Sequence, residues 1–109
     1  MQATEDHVFE KARELADILN AAPPELADAD YDRLPFGLAI YVPTPDTKPN
    51  LEIRVPYNGD DVMLAMGQNG RVNKKEIPYE LLIDNLTNRN LSEQISYIRK
   101  LINREIKID

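Results

Sequence analysis

Apolar residues in this chain recur with two different periods, and the two periods divide it into helices and strands. Val8, Ala12, Leu15 and Leu19 return every three or four positions, which places them on one arc of a helix turning about 100° per residue. Asp6, Glu10, Glu14 and Asp17 occupy nearly the opposite arc. The spacing predicts a helix over about 5–20. Thr4 stands where an N-cap belongs, and Glu5 and Asp6 bring carboxylates to the positive end of the helix dipole. Ala21-Ala22-Pro23-Pro24 stops the helix, and 25–35 reads as a loop ending at Leu34-Pro35.

Downstream the period falls to two. Phe36, Leu38, Ile40 and Val42 alternate with Gly37, Ala39 and Tyr41, and Leu51, Ile53, Val55 and Tyr57 alternate with Glu52, Arg54 and Pro56. Such alternation predicts half-buried antiparallel strands. The Pro-rich connector from Pro43 to Asn50 cannot continue a ladder and must be a loop. Asn58-Gly59 turns the chain into a strand over Val62–Met66, and Asn69-Gly70 supplies the positive φ angles of a tight hairpin. A fourth strand, at about 71–76, has the character of a sheet edge protected by Lys74 and Lys75.

Helical spacing then returns. Pro78 suits the first position of a helix over about 78–86. Asn90 with Glu93 three residues later forms a capping pattern for a helix over about 91–106. Its apolar arc is Leu91, Ile95, Ile98, Ile102 and Ile106, with Lys100, Arg104 and Lys107 opposite. The pattern predicts one α+β two-layer domain over 1–109: an N-terminal helix, a four-stranded antiparallel meander and two C-terminal helices on one sheet face. Leu38, Ile40, Ile53, Val55, Leu64, Ile95, Ile98 and Ile102 are expected to point inward.

Composition narrows the chemistry. At 109 residues, with 42% hydrophobic and 29% charged positions, the chain has the balance of an ordinary globular domain. It has no cysteine, which excludes disulfides, thiol nucleophiles and Cys-ligated metal centres. The acidic N-terminus has no signal-peptide character, and no apolar run approaches the ~20 residues that span a bilayer. A cytoplasmic protein without membrane contact is expected. A pI near 4.7 argues against direct nucleic-acid binding.

Candidate motifs are thin. Asp28, Asp30 and Asp32 resemble the start of a calcium loop, but Arg33 stands where glycine belongs and Ala39 where a bidentate Glu belongs. A solvated acidic loop is the better reading, and no metal is expected. His7 is the only histidine, at a helix start that disfavours its charged form. Ser92 and Ser96 lie on another helix with no nucleophile-elbow context. No catalytic residue is expected. Glu80 and Asp84 share an i, i+4 face, as metal ligands or an acid/base pair must, but have no histidine partner. None of the glycines at 37, 59, 67 and 70 opens a helix, so no phosphate loop exists and no cofactor is expected. The two C-terminal helices invite comparison with a helix-turn-helix in which Ser92, Gln94, Arg99 and Lys100 reach DNA. Residues 71–109 carry eight bases against six acids, a faint footprint for DNA, so helices packed on a sheet are the better reading.

The distribution of charge is the feature that points to a function. Residues 1–32 hold nine acids against two bases, a balance of −7 in a chain whose total is −6, so everything after Asp32 sums to +1. Like charges at i, i+4 each cost a few tenths of a kcal/mol. The expectation is a non-enzymatic interaction protein whose Asp6, Glu10, Glu14, Asp17, Asp28, Asp30 and Asp32 meet a basic surface on a protein partner, in the manner of an inhibitor or nucleic-acid mimic. Two alternatives stand beside it. One is a ligand-binding or enzymatic domain with a pocket between sheet and C-terminal helices, lined by Tyr41, Tyr57, Tyr79 and Tyr97. The other is a homo-oligomerising module that pairs its fourth strand or C-terminal helix.

Overall fold

The computed structural model describes residues 2–26, 37–43, 50–57, 61–68 and 71–106. Elements follow in the order α1 (Gln2–Ile18), β1 (Glu25–Leu26), β2 (Gly37–Val42), β3 (Asn50–Pro56), β4 (Asp61–Gln68), β5 (Arg71–Pro78), α2 (Tyr79–Thr87) and α3 (Leu91–Ile102). The sheet is an antiparallel meander in the order β1-β2-β3-β4-β5. The α+β class stands, with five strands rather than four among the described residues. Glu25 and Leu26, assigned to a loop from sequence, pair with Ala39 and Leu38. Two residues are too few to show a period, so only the partner strand reveals them.

All three helices gather on one face of the sheet, where α1 packs over β2 and β3 and α3 over β4 and β5. The register Ile40↔Ile53↔Leu64 carries one apolar row across the three central strands. Leu38, Val42, Leu51, Val55, Val62 and Met66 extend that layer on the same face. Every residue expected to point inward is buried, from Leu38 to Ile102, and so are Val8, Ala12, Leu15 and Leu19 of α1. Leu91, the first residue of the predicted apolar arc, is exposed instead.

Helix boundaries moved for local reasons. Because α1 starts at Gln2, Thr4 lies within the helix and not at its cap. At its other end, Asn20 adopts φ 55° while Ala21 N–H donates to Ala16 O (2.8 Å) and Asn20 N–H to Asp17 O (3.2 Å). This is a Schellman stop, which satisfies carbonyls that the ended helix leaves open. The same motif ends α3 at Ile102, four residues earlier than expected: Arg104 takes φ 59°, Glu105 N–H donates to Lys100 O (2.9 Å) and Arg104 N–H to Leu101 O (3.1 Å). Ile106 therefore packs against the core from beyond the helix, and not as its last apolar residue. The expected cap of α3 is present in full: Asn90 Oδ1 accepts from Glu93 N–H (2.9 Å), and Glu93 Oε1 accepts from Asn90 N–H (3.0 Å).

Gly37 opens β2 opposite Pro56. A Cβ there would meet the Val55 carbonyl oxygen and lie 2.7 Å from Pro56 Cα. Glycine at this position lets β2 approach β3.

Candidate functional site

The acidic arc faces away from the sheet. Since Val8, Ala12, Leu15 and Leu19 are locked in the core, helix geometry turns Glu10, Glu14 and Asp17 outward, and all three are exposed. Asp6 lies on the backbone of the same helix. Asp28, Asp30 and Asp32 lie outside the described residues, as do the two Asn-Gly turns.

Glu14 has a second role that its sequence position conceals. The Tyr79 hydroxyl, at the start of α2, donates to Glu14 Oε1 at 2.6 Å, with the Lys11 carbonyl oxygen a further acceptor at 3.0 Å. Lys11 Nζ sits 5.2 Å from the centre of the Tyr79 ring. Burial pushes the Tyr79 phenol well above its ordinary pKa, and the hydrogen bond to Glu14 and the charges of Glu14 and Glu80 push it further. Glu80, on the first turn of α2, therefore acts electrostatically on the same group as Glu14. Acids separated by 65 residues or more in sequence share one neighbourhood, joined by a buried tyrosine. Nothing local in the sequence marks Tyr79 for this part; it follows from the packing of α1 beside α2.

The tyrosines do not converge on one pocket. Tyr79 is buried under α1, whereas Tyr41 is 51% exposed and points to the sheet face opposite the helices. There, with Leu51, Glu52, Ala65, Gly67 and Val72, it lines a shallow apolar groove of about 360 Å³. Arg54 Nε donates to Glu52 Oε2 at 2.6 Å on that face. Tyr57 packs against the edge of the core, and Tyr97 lies on α3. Ile53, Leu64, Ile98 and Leu101, from the sheet and α3, belong to one buried aliphatic cluster.

The helix-turn-helix reading loses one of its reading residues. Gln94 is 4% exposed, and its Nε2 donates to the Leu86 carbonyl (3.0 Å) and the Arg89 carbonyl (3.1 Å). It ties the end of α2 to α3 and cannot reach a base edge. Beside that junction, on the solvent side of α3, a cavity of about 710 Å³ is lined by Arg89, Ser92, Glu93, Ser96, Tyr97 and Lys100, with Asn88 and Ile106 at its margins. The Arg89 guanidinium lies 4.2 Å from the centre of the Tyr97 ring, and its Nη1 donates to the Asn85 carbonyl at 3.0 Å. Burial raises the pKa of the Tyr97 phenol, with the Arg89 charge acting against it.

Among the described residues no group of three or more His, Asp or Glu side chains could hold a metal ion. No helix there is long and apolar enough to cross a membrane. Comparison with protein-family models, with curated proteins and with solved structures produced no match to this chain.

Proposed function

We propose that this chain is a small non-enzymatic interaction protein, working in the cytoplasm, that binds a basic surface of a protein partner through the acidic face of α1. The observation that carries the reading is the fixed outward presentation of Glu10, Glu14 and Asp17 on a helix whose opposite side is wholly buried. Carboxylates on a rigid helix stand at regular intervals, lose little freedom on binding and can take the place of phosphates on a basic groove. The Tyr79 bond adds to this by holding Glu14 in place. Asp6, Asp28, Asp30 and Asp32 belong to the same segment of negative charge. Attraction of this kind accelerates association and selects partners more than it deepens affinity.

The test is capture of partners from a cell extract by wild type and by a Glu10→Lys, Asp17→Lys variant, followed by kinetics with the captured protein across a salt series. These two positions are chosen because Glu14 also holds Tyr79. The expected result is a basic partner whose association slows with rising salt, as exposed charges are screened over about 8–10 Å at 0.1–0.15 M. The variant should associate more slowly while dissociating at a similar rate. Rates insensitive to salt and to both substitutions overturn the reading and reduce the arc to a solubilising surface.

A further inference from the structure

The cavity beside α3 goes beyond that reading, since its chemistry is opposite in sign to the acidic helix. Three of its polar side chains, Ser92, Ser96 and Lys100, follow one another at i, i+4 and i+8 and so form one stripe along α3. Arg89 closes the other side from the α2–α3 turn. Its position is held by two contacts, the Tyr97 ring 4.2 Å from its guanidinium carbon and the Asn85 carbonyl that accepts from Nη1. Among the described residues no carboxylate lies within ion-pairing distance of Arg89 or Lys100. In a chain with 19 acids to 13 bases, two cations lining one cavity without an ion-paired acid among the described residues call for a reason. Glu93, the one carboxylate among the described lining residues, has Oε1 engaged by the Asn90 N–H in the helix cap. Among the described residues the lining carries Arg89 and Lys100 against this one acid.

We infer that this cavity is a binding site for a small phosphorylated molecule, its phosphoryl group held by Arg89, Lys100 and the Ser92 and Ser96 hydroxyls. A guanidinium fork and an ammonium with two hydroxyls supply donors from several sides, as a tetrahedral anion requires, whereas a planar carboxylate needs only the fork. The cleft is open to solvent, and its volume of about 710 Å³ leaves room beyond the phosphoryl group for the body of a small ligand.

The experiment is amide NMR titration of the intact chain with inorganic phosphate, sodium acetate and sodium chloride at matched ionic strength. Phosphate should produce saturable shifts at Ser92, Ser96 and Lys100, while acetate and chloride should not. Lys100→Ala and Ser96→Ala, both on exposed positions, should each weaken phosphate binding by about tenfold, the loss expected for one charge-assisted or hydroxyl hydrogen bond. Arg89→Lys keeps the charge and removes the fork, and should weaken it by a similar factor. Lys74→Ala, on β5 outside the cavity, should change nothing. Acetate binding as well as phosphate would reassign the site to carboxylates. Shifts that do not saturate, or that Lys100→Ala and Lys74→Ala alter equally, would reduce the cavity to a solvated surface and overturn the inference.

Discussion

Helices α1 and α3 pack on the same sheet face, over different strands, and are built alike below, yet they differ on the side that meets water. Each buries one apolar arc, Val8–Ala12–Leu15 in the first and Ile95–Ile98–Ile102 in the second. Each ends in a Schellman stop with a non-glycine residue at positive φ. Outward, α1 presents Glu10, Glu14 and Asp17, while α3 presents Ser92, Ser96 and Lys100 to a cavity that Arg89 also lines. The inner sides answer to the sheet, where only volume and apolarity count. The outer sides carry no such constraint, so there the two helices are free to differ in charge.

The likeness of the inner sides can be broken first. Leu15 and Ile98 are 0% and 1% exposed, and replacing either by Ala should cost about 2–5 kcal/mol in denaturant unfolding. If one costs no more than a surface substitution, that helix is not anchored as described. A smaller effect tests what joins α1 to α2. Tyr79→Phe keeps the ring and removes the hydroxyl that Glu14 and the Lys11 carbonyl accept, for a loss of about 1–2 kcal/mol near neutral pH.

The same variant has a pH signature. The phenol pKa is raised in the folded chain, so folding favours the protonated form. Its contribution is fully present below the unfolded pKa of about 10 and is lost as pH rises beyond it. Stability of the wild type should therefore fall more steeply above about pH 10 than that of Tyr79→Phe. Parallel curves would mean that the hydroxyl is neither buried nor held against Glu14.

The two helix stops separate by less. Arg104 bears a left-handed conformation that most residues with a Cβ disfavour, whereas the short polar side chain of Asn20 tolerates it. Arg104→Gly should raise the midpoint of thermal unfolding, by about 0.5–1 kcal/mol of stability, and Asn20→Gly by a few tenths at most. Equal effects would remove the distinction. Smallest of all should be Glu10→Lys with Asp17→Lys, whose stability should stay within about 0.5 kcal/mol of wild type, since both are exposed. A large loss there would show that the acidic face holds the fold together.

Much of the fold was legible in the sequence because it rests on local periods. Alternation at Leu38–Ile40–Val42 and Ile53–Val55 reports a sheet face directly, and the Asn90–Glu93 box reports a helix start within four residues. The acidic arc was legible for the same reason, as angular position on a helix follows from sequence spacing alone. The five-stranded count was not, because Glu25 and Leu26 carry no pattern of their own. Nor was the end of α3, where Arg104 takes a conformation usually left to glycine while Ile106 still keeps helical spacing.

What the amino-acid order determined by itself was therefore which residues share a face: the inward aliphatic rows, the outward acids of α1 and the Ser92–Ser96–Lys100 stripe. What only the tertiary structure decided was which faces meet. Tyr79 reaches Glu14 across 65 residues, Gln94 is drawn inward to join α2 to α3, and Arg89 comes to rest on Tyr97 opposite the α3 stripe. Periodicity records the direction a side chain takes from its own element. Where two elements come together depends on how the whole core closes, and no short stretch of sequence contains that.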